Sequence, residues 1–219
     1  LNYPLNIPAA RAGLTPNITL QYSSDGGSSY IGYGFSIPME TISIDTRWGC
    51  PTFSKEYESE SYLLNGAQFT EKAHSHTPKK QQNRQSKKEF YVRVDANFLH
   101  ITRHGESPKN YTWKVLSKDG LKKTYTGFDG LMDSVCTEST PTDNNQITWV
   151  LTEVEDIHGN TCSYSYKNYG GTLYPKSITY TGRKTKKEKG LYNITFTYSP
   201  EVENADPTKL PKRLDNTSN

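Results

Sequence analysis

Aliphatic side chains are scarce in this chain. Leu, Ile, Val and Phe supply 40 of its 219 residues, a share at which disorder enters consideration. The usual accompaniment of disorder, strong self-repulsion, is missing, because the formal net charge is only +3. No stretch approaches ~18 consecutive apolar residues, so a helical membrane span is excluded. No amphipathic helical period of useful length occurs either, which argues against a helical bundle.

Cysteine is rare as well. Cys50, Cys136 and Cys162 are odd in number and far apart. Without a Cys-x-x-Cys pair, neither a zinc ribbon nor a thioredoxin-type site is supported. They read as three small semi-buried residues; one disulfide plus a spare thiol is the alternative and would suit an exported protein. There is also no Gly-x-Ser-x-Gly elbow, no P-loop and no dinucleotide fingerprint. The start, Leu1-Asn2-Tyr3-Pro4, lacks an initiator Met and a signal-peptide pattern. The end, Leu214 to Asn219, closes no element. The expectation is a piece of a longer protein.

What the chain has instead is aromatic: 16 Tyr, 7 Phe and 3 Trp. Such side chains bury large areas while keeping a polar handle, which suits half-wet β surfaces. The apolar period is two almost throughout. Ile18 to Tyr22, Thr41 to Asp45, Phe90 to Val94, Phe98 to Thr102 and Tyr111 to Leu116 alternate. Leu121 to Tyr125 follows Asp119-Gly120, a strong hairpin signal. Ile147 to Val154, Cys162 to Tyr166, Ser177 to Thr181 and Tyr192 to Tyr198 continue the pattern. With 16 Gly and 12 Pro spread throughout, the fold class is all-β. Antiparallel hairpins and meanders would form an extended curved sheet or a sandwich-like module, with few or no helices.

Candidate chemistry is thin. Lys79 to Lys88 and Arg183 to Lys189 are basic runs that read as exposed loops. They lack an aromatic on which a base could stack, so nucleic-acid binding is not supported. His74 and His76 could form half a zinc site, but no third ligand is identifiable, and His100, His104 and His158 have no partner pattern. Glu58-Ser59-Glu60 and Glu153-Val154-Glu155 each place two carboxylates on one strand face. Paired carboxylates can divide acid and base roles, and ADP-ribosyltransferases use Glu-x-Glu. The Arg strand and the Ser-Thr-Ser-type strand that those enzymes also need are missing. Tyr30, Tyr33 and Trp48 could stack on sugars, which keeps a glycan-binding or adhesion module as the alternative function, although such residues more often pack. The sequons at Asn17, Asn110, Asn193 and Asn216 are uninformative in so Asn-, Ser- and Thr-rich a chain.

The N-terminal segment is the informative one. After Tyr3-Pro4-Leu5-Asn6-Ile7-Pro8 come Arg11, Gly13, Leu14 and Pro16, then Leu20-Gln21-Tyr22-Ser23-Ser24, then Gly32-Tyr33-Gly34-Phe35. This resembles the opening of the SpvB-type N-terminal region, found in a Salmonella plasmid virulence protein and in the B component of bacterial insecticidal toxin complexes. Tyr62 to Gly66 resembles the family's strand-turn. Trp149, Asp156, Gly159, Asn160, Tyr164 and Tyr166 resemble its Trp…Asp-x-x-Gly-Asn…Tyr-x-Tyr unit, also similar to Rhs YD repeats. Tyr174-Pro175 follows where the family has Tyr-Pro. Departures are Ala9 to Ala12 in place of a Gly-rich stretch, Phe35 in place of Trp, and the Lys/Gln-rich insertion at 79–88.

The resemblance implies a scaffold rather than a reaction site. It implies a non-catalytic structural module of a secreted or cell-surface bacterial protein, contributing to a β-shell that encapsulates or delivers a toxin. Its partners would be the remainder of its own chain and other toxin-complex subunits, with no cofactor, nucleic acid or membrane span. An ADP-ribosyltransferase-associated fragment is a further, weaker alternative. The expected organisation is one β-rich module over 1–198 and a Pro-containing connector over 199–219. Within the module, 1–70 bears the motifs, 71–89 is an exposed basic insertion and 90–198 is an antiparallel meander.

Overall fold

Alternating side chains and Gly-containing turns give the described part an all-β, antiparallel architecture. The computed structural model describes residues 1–27, 29–47, 49, 51–71, 82–92, 98–127, 148–169 and 172–198. Trp48, Cys50, His74, His76, Cys136 and the expected connector at 199–219 lie outside these. Among the described residues, sixteen strands form, joined in places by 3-10 turns at Arg11–Gly13, Pro108–Asn110 and Lys184–Lys186. The chain divides into two compact units. Unit 1 is Leu1–Met39 with Asn160–Asn219; unit 2 is Glu40–Gly159.

Unit 2 is a closed barrel. Its eight strands are β4 (Thr41–Ile44), β6 (Tyr62–Leu64), β7 (Ala67–Glu71), β9 (Lys87–Val92), β10 (His100–His104), β11 (Thr112–Leu116), β12 (Lys122–Gly127) and β13 (Thr148–Glu155). Their order is β12-β11-β10-β9-β7-β6-β4-β13, and β13 pairs back onto β12. That last pairing has a register shift at Thr124/Tyr125, the kind of bulge that bends a strand. The sequence pattern leads to a curved sheet; the structure closes it. The two further strands of this unit, β5 (Tyr57–Glu58) and β8 (Gln82–Asn83), pair with each other.

Eight strands leave a lumen that side chains can fill. Here the filling is aromatic. Tyr62, Phe69, Phe90, Trp113 and Trp149 are at most 2% exposed and come from five different strands. Tyr62 meets Trp113 edge-on at 4.8 Å between centroids, Phe69 meets Trp113 at 5.6 Å, and Trp113 meets Trp149 at 5.5 Å. Strand β11 pairs with none of β6, β7 and β13, so these rings meet through the lumen. Edge-on contacts of this kind add to area burial. Ile42, Ile101 and Val115 complete the filling. Rings thus supply the core that the aliphatic count leaves short.

Turn chemistry sets the hairpins. Asn65 and Gly66 carry φ +49° and +82° between β6 and β7, the double left-handed turn that matches strand twist. Between β11 and β12 the loop is longer than an Asp-Gly dipeptide: only Gly120 has positive φ, and the Ser117 N–H donates to the Leu121 carbonyl. After β13, Asp156 accepts from the His158 N–H at 2.8 Å, and Gly159 takes φ +76°.

Unit 1 holds two sets of paired strands. β1 (Asn2–Pro4), β2 (Thr19–Tyr22) and β3 (Phe35–Ser36) form a sheet of their own. β14 (Asn160–Tyr169), β15 (Thr172–Arg183) and β16 (Tyr192–Thr195) pair in that order, with bulges at Thr161/Cys162 and Ser165/Tyr166. Cys162 is buried and unbridged. Burial pushes its thiol up to about 11, and the hydrogen bond with Tyr164 only partly opposes this.

Candidate functional site

The carboxylate pair Glu58 and Glu60 lies at one end of the barrel. Glu58 accepts from Arg103 and, at 2.5 Å, from Lys88 Nζ. Lys88 also pairs with Glu71. Glu60 accepts from Arg84 Nη2 at 2.7 Å. Three cations therefore meet three carboxylates, and neither Glu58 nor Glu60 is free to act as acid or base.

Packing fixes this cluster. Arg103 comes from β10 and is fully buried. Its guanidinium carbon lies 4.0 Å from the Tyr111 ring centroid, a cation–π arrangement that gains from desolvation. It donates further to Tyr62 Oη at 3.2 Å and to the Gln85 carbonyl at 2.9 Å. Arg84 donates to the Ser54 and Tyr57 carbonyls and, at 2.5 Å, to Tyr111 Oη. The planar fork of Arg suits such multiple anchoring. Burial would raise the Glu58 pKa, but the hydrogen bonds from Arg103 and Lys88 outweigh it and hold the carboxyl below its ordinary value. Burial drives the Tyr62 hydroxyl well above its ordinary value and outweighs the Arg103 charge.

For Arg84 and Lys88 this corrects the reading of the first basic run as an exposed loop; Lys87 is exposed, and Lys79 and Lys80 lie outside the described residues. Arg84 and Lys88 have side chains 5% and 7% exposed. Composition suggests solvent for these cations, but the buried Glu58 and Glu60 and the partly exposed Glu71 claim them. The second Glu-x-Glu differs: Glu155 takes Lys122 at 2.7 Å at the barrel wall. Among the described residues, no group of three His, Cys, Asp or Glu is arranged to hold a metal ion.

The opposite barrel end opens into a hollow of about 330 Å³. Leu64, Leu99, Val115 and Leu121 form its apolar wall. Glu40 sits at the rim, held by Lys123 at 2.7 and 2.8 Å and by Tyr125 Oη at 2.8 Å.

The motif residues of unit 1 build turns and packing. Arg11 pairs with Glu188 at 3.2 Å, the one acid of the second basic run. Ala12 and Gly13 both take positive φ, and the Leu14 N–H returns to the Arg11 carbonyl. Pro16 is buried. Tyr22 and Phe35 pair across β2 and β3, with centroids 4.8 Å apart. Gly34 has φ +76°, and a Cβ there would lie 2.8 Å from both the Ser23 carbonyl and the Tyr22 ring. Only glycine lets that ring lie so close. The Ser23 N–H donates to the Gly34 carbonyl, Ser24 is an exposed turn residue, and the Gly32 carbonyl accepts from the Ser29 N–H.

The remaining motif positions are spread over both units. Gly66 and Trp149 belong to the barrel, one in a turn and one in the lumen. Asp156 and Gly159 shape the turn after β13. In unit 1, Asn160 stands opposite Arg183, and Tyr164 and Tyr166 lie on β14, with Tyr166 buried. Tyr174 packs edge-on against Tyr198 at 5.1 Å, and Tyr198 Oη donates to the Pro175 carbonyl at 2.7 Å. Of the sugar-stacking candidates, Tyr30 is a packing residue. Its hydroxyl donates to the Ile37 carbonyl at 2.9 Å, its ring meets Tyr174, and burial pushes its pKa up to about 12. Tyr33 is exposed.

Comparisons place this architecture among known proteins. The N-terminal domain of effector protein SpvB from Salmonella typhimurium strain LT2 matches with a TM-score of 0.64 and 18% identity, over 90% of this chain and 66% of that one. The TcdB2-TccC3 structure matches with a TM-score of 0.66 and 17% identity, over 90% of this chain and 11% of that one. The Photorhabdus luminescens Tc holotoxin pore gives 0.65 and 18%, over 90% and 10%. The chain thus spans just under two thirds of the first relative and about a tenth of the others. No curated sequence matches it significantly. The family described as Salmonella virulence plasmid 65kDa B protein (SpvB) matches residues 1–217, and the chain belongs to it.

Proposed function

We propose that the chain is a non-catalytic structural module of a secreted or cell-surface bacterial protein of the toxin-complex and Rhs type. In this reading it contributes to a β-stranded shell that encapsulates or delivers a C-terminal toxin. Its partners are the remainder of its own polypeptide and other toxin-complex subunits. The observation that carries this reading is the fate of Glu58 and Glu60. The side chains best placed for acid–base work are consumed by Arg103, Lys88 and Arg84. A carboxylate so paired serves packing rather than proton transfer. The family membership and the toxin complexes among the fold relatives support the same reading.

Limited proteolysis of the full-length gene product tests it. Under native conditions a C-terminal segment should survive protease that digests it readily in urea. Full native digestion of that segment would overturn encapsulation. Release of nicotinamide from NAD by residues 1–219, lost in Glu58→Gln, would overturn the non-catalytic reading.

A further inference from the structure

Exposed large apolar side chains are not scattered evenly. Among the described residues, seven of the twelve lie within the first 35: Leu1, Tyr3, Leu5, Tyr22, Ile31, Tyr33 and Phe35. Sheet register gathers several on one surface. Tyr3 stands opposite Leu20, and Tyr22 stands opposite Phe35. Leu20 and Tyr22 are two apart on β2, so all four side chains share one face. Tyr3 is 64% exposed, Tyr22 42% and Phe35 39%. The other face carries Asn2, Pro4, Thr19, Gln21 and Ser36.

An apolar-in, polar-out pattern belongs to an antiparallel sheet that covers one face. In this sheet the apolar face is the bare one. Its strands have only three, four and two residues, too few for a sheet without a second layer behind it. Clustered exposed apolar surface of this kind marks an interaction site.

We infer that the Tyr3–Leu20–Tyr22–Phe35 face is the docking surface for a β-rich part of the same polypeptide outside residues 1–219. Two observations select that occupant. The face is small: four side chains fall well short of the ~800 Å² per partner that a stable free complex uses. A covalently tethered layer needs no such area, because its effective concentration is already high. The chain also spans only 66% of the SpvB N-terminal domain and 11% of the TcdB2-TccC3 chain that share its fold. The inference rests on the reading of this chain as a module of a larger protein.

Hydroxyl-radical footprinting of the full-length gene product tests it, with oxidation read by mass spectrometry at single residues. Each residue's rate in native buffer is compared with its rate in urea. Tyr3, Tyr22 and Phe35 should be protected at least fivefold, like the buried Tyr62 and Phe90. Native rates within twofold of the urea rates would overturn the proposal. Protection that disappears on dilution, together with a dimer mass by light scattering, would assign the face to a second copy and also overturn it. A Tyr3→Asp variant should raise the native oxidation of Phe35; an unchanged Phe35 rate counts against a shared docking layer. None of these readouts involves cargo, so a shell that fails to protect a toxin segment leaves this result standing, and the converse holds.

Discussion

Arg103 lies over Tyr111, with its guanidinium carbon 4.0 Å from the ring centroid, while it donates to Glu58 from inside the barrel. Its charge is matched by that carboxylate, and the Phe90 and Trp113 rings also lie within 6 Å of it. Removing the carboxylate would leave a fully buried cation without its counter-charge.

Glu58→Gln should cost about 3–5 kcal/mol, because it leaves the buried Arg103 guanidinium without its carboxylate. Arg103→Met should cost less, since Lys88 keeps Glu58 paired. The double variant should be less destabilised than the sum of the two, which marks direct coupling. Urea unfolding followed by fluorescence of the lumen Trp residues measures all three. Strict additivity would show that the pair is not an energetic unit.

The pH dependence follows from the same cluster. The folded Glu58 pKa lies below its unfolded value, so its contribution is present above the unfolded carboxyl value of ~4.3 and is lost as pH falls through the folded one. Stability should decline below ~pH 5, and less steeply in Glu58→Gln. Tyr62 acts at the other extreme. Its pKa is raised by burial, so its contribution is complete below ~10 and is lost as pH rises toward the folded value. Tyr62→Phe should remove part of the alkaline decline.

Two glycines of unit 1 separate backbone strain from crowding. Gly13 has φ +75° with nothing within 4 Å of a built Cβ, whereas Gly34 has φ +76° with two atoms at 2.8 Å. Gly13→Ala should cost about 1–2 kcal/mol for the left-handed backbone alone. Gly34→Ala should cost clearly more, because the Tyr22 ring and the Ser23 carbonyl must shift. Equal losses in thermal unfolding would remove the crowding argument.

Cys162 should resist alkylation. Its thiol, pushed up to about 11 by burial, is almost wholly protonated at pH 8, and only the thiolate is the nucleophile. Iodoacetamide should leave the Cys162 peptide unmodified in native protein and modify it fully in urea. Rapid native labelling would place the residue at the surface.

The longer strands were legible because alternation shows over several residues, as in Thr112 to Leu116 or Thr148 to Glu155. β1, β3, β5 and β8 have two or three residues each, and no period can be read from so few. Barrel closure left no local trace, since β4 pairs β13 across more than a hundred positions. Glu58 and Glu60 stood out as a one-face pair. Their partners did not, because Arg84, Lys88 and Arg103 lie 24, 30 and 45 positions from the carboxylates they meet. Adjacent Lys and Gln residues made two of those cations look like loop charges. The motif positions were visible as a family pattern, but not the reason for Gly34, which depends on where the Tyr22 ring lies.

Unit 1 is assembled from the two ends of the sequence, Leu1–Met39 and Asn160–Asn219, with the whole barrel threaded between them. A ribosome makes the first of these pieces long before the second. Strands β1 to β3 must therefore wait for the barrel to be made before β14 to β16 can complete their unit. Within this module, the unit that is begun first is completed last. Slow translation across residues 40–159 would lengthen that wait.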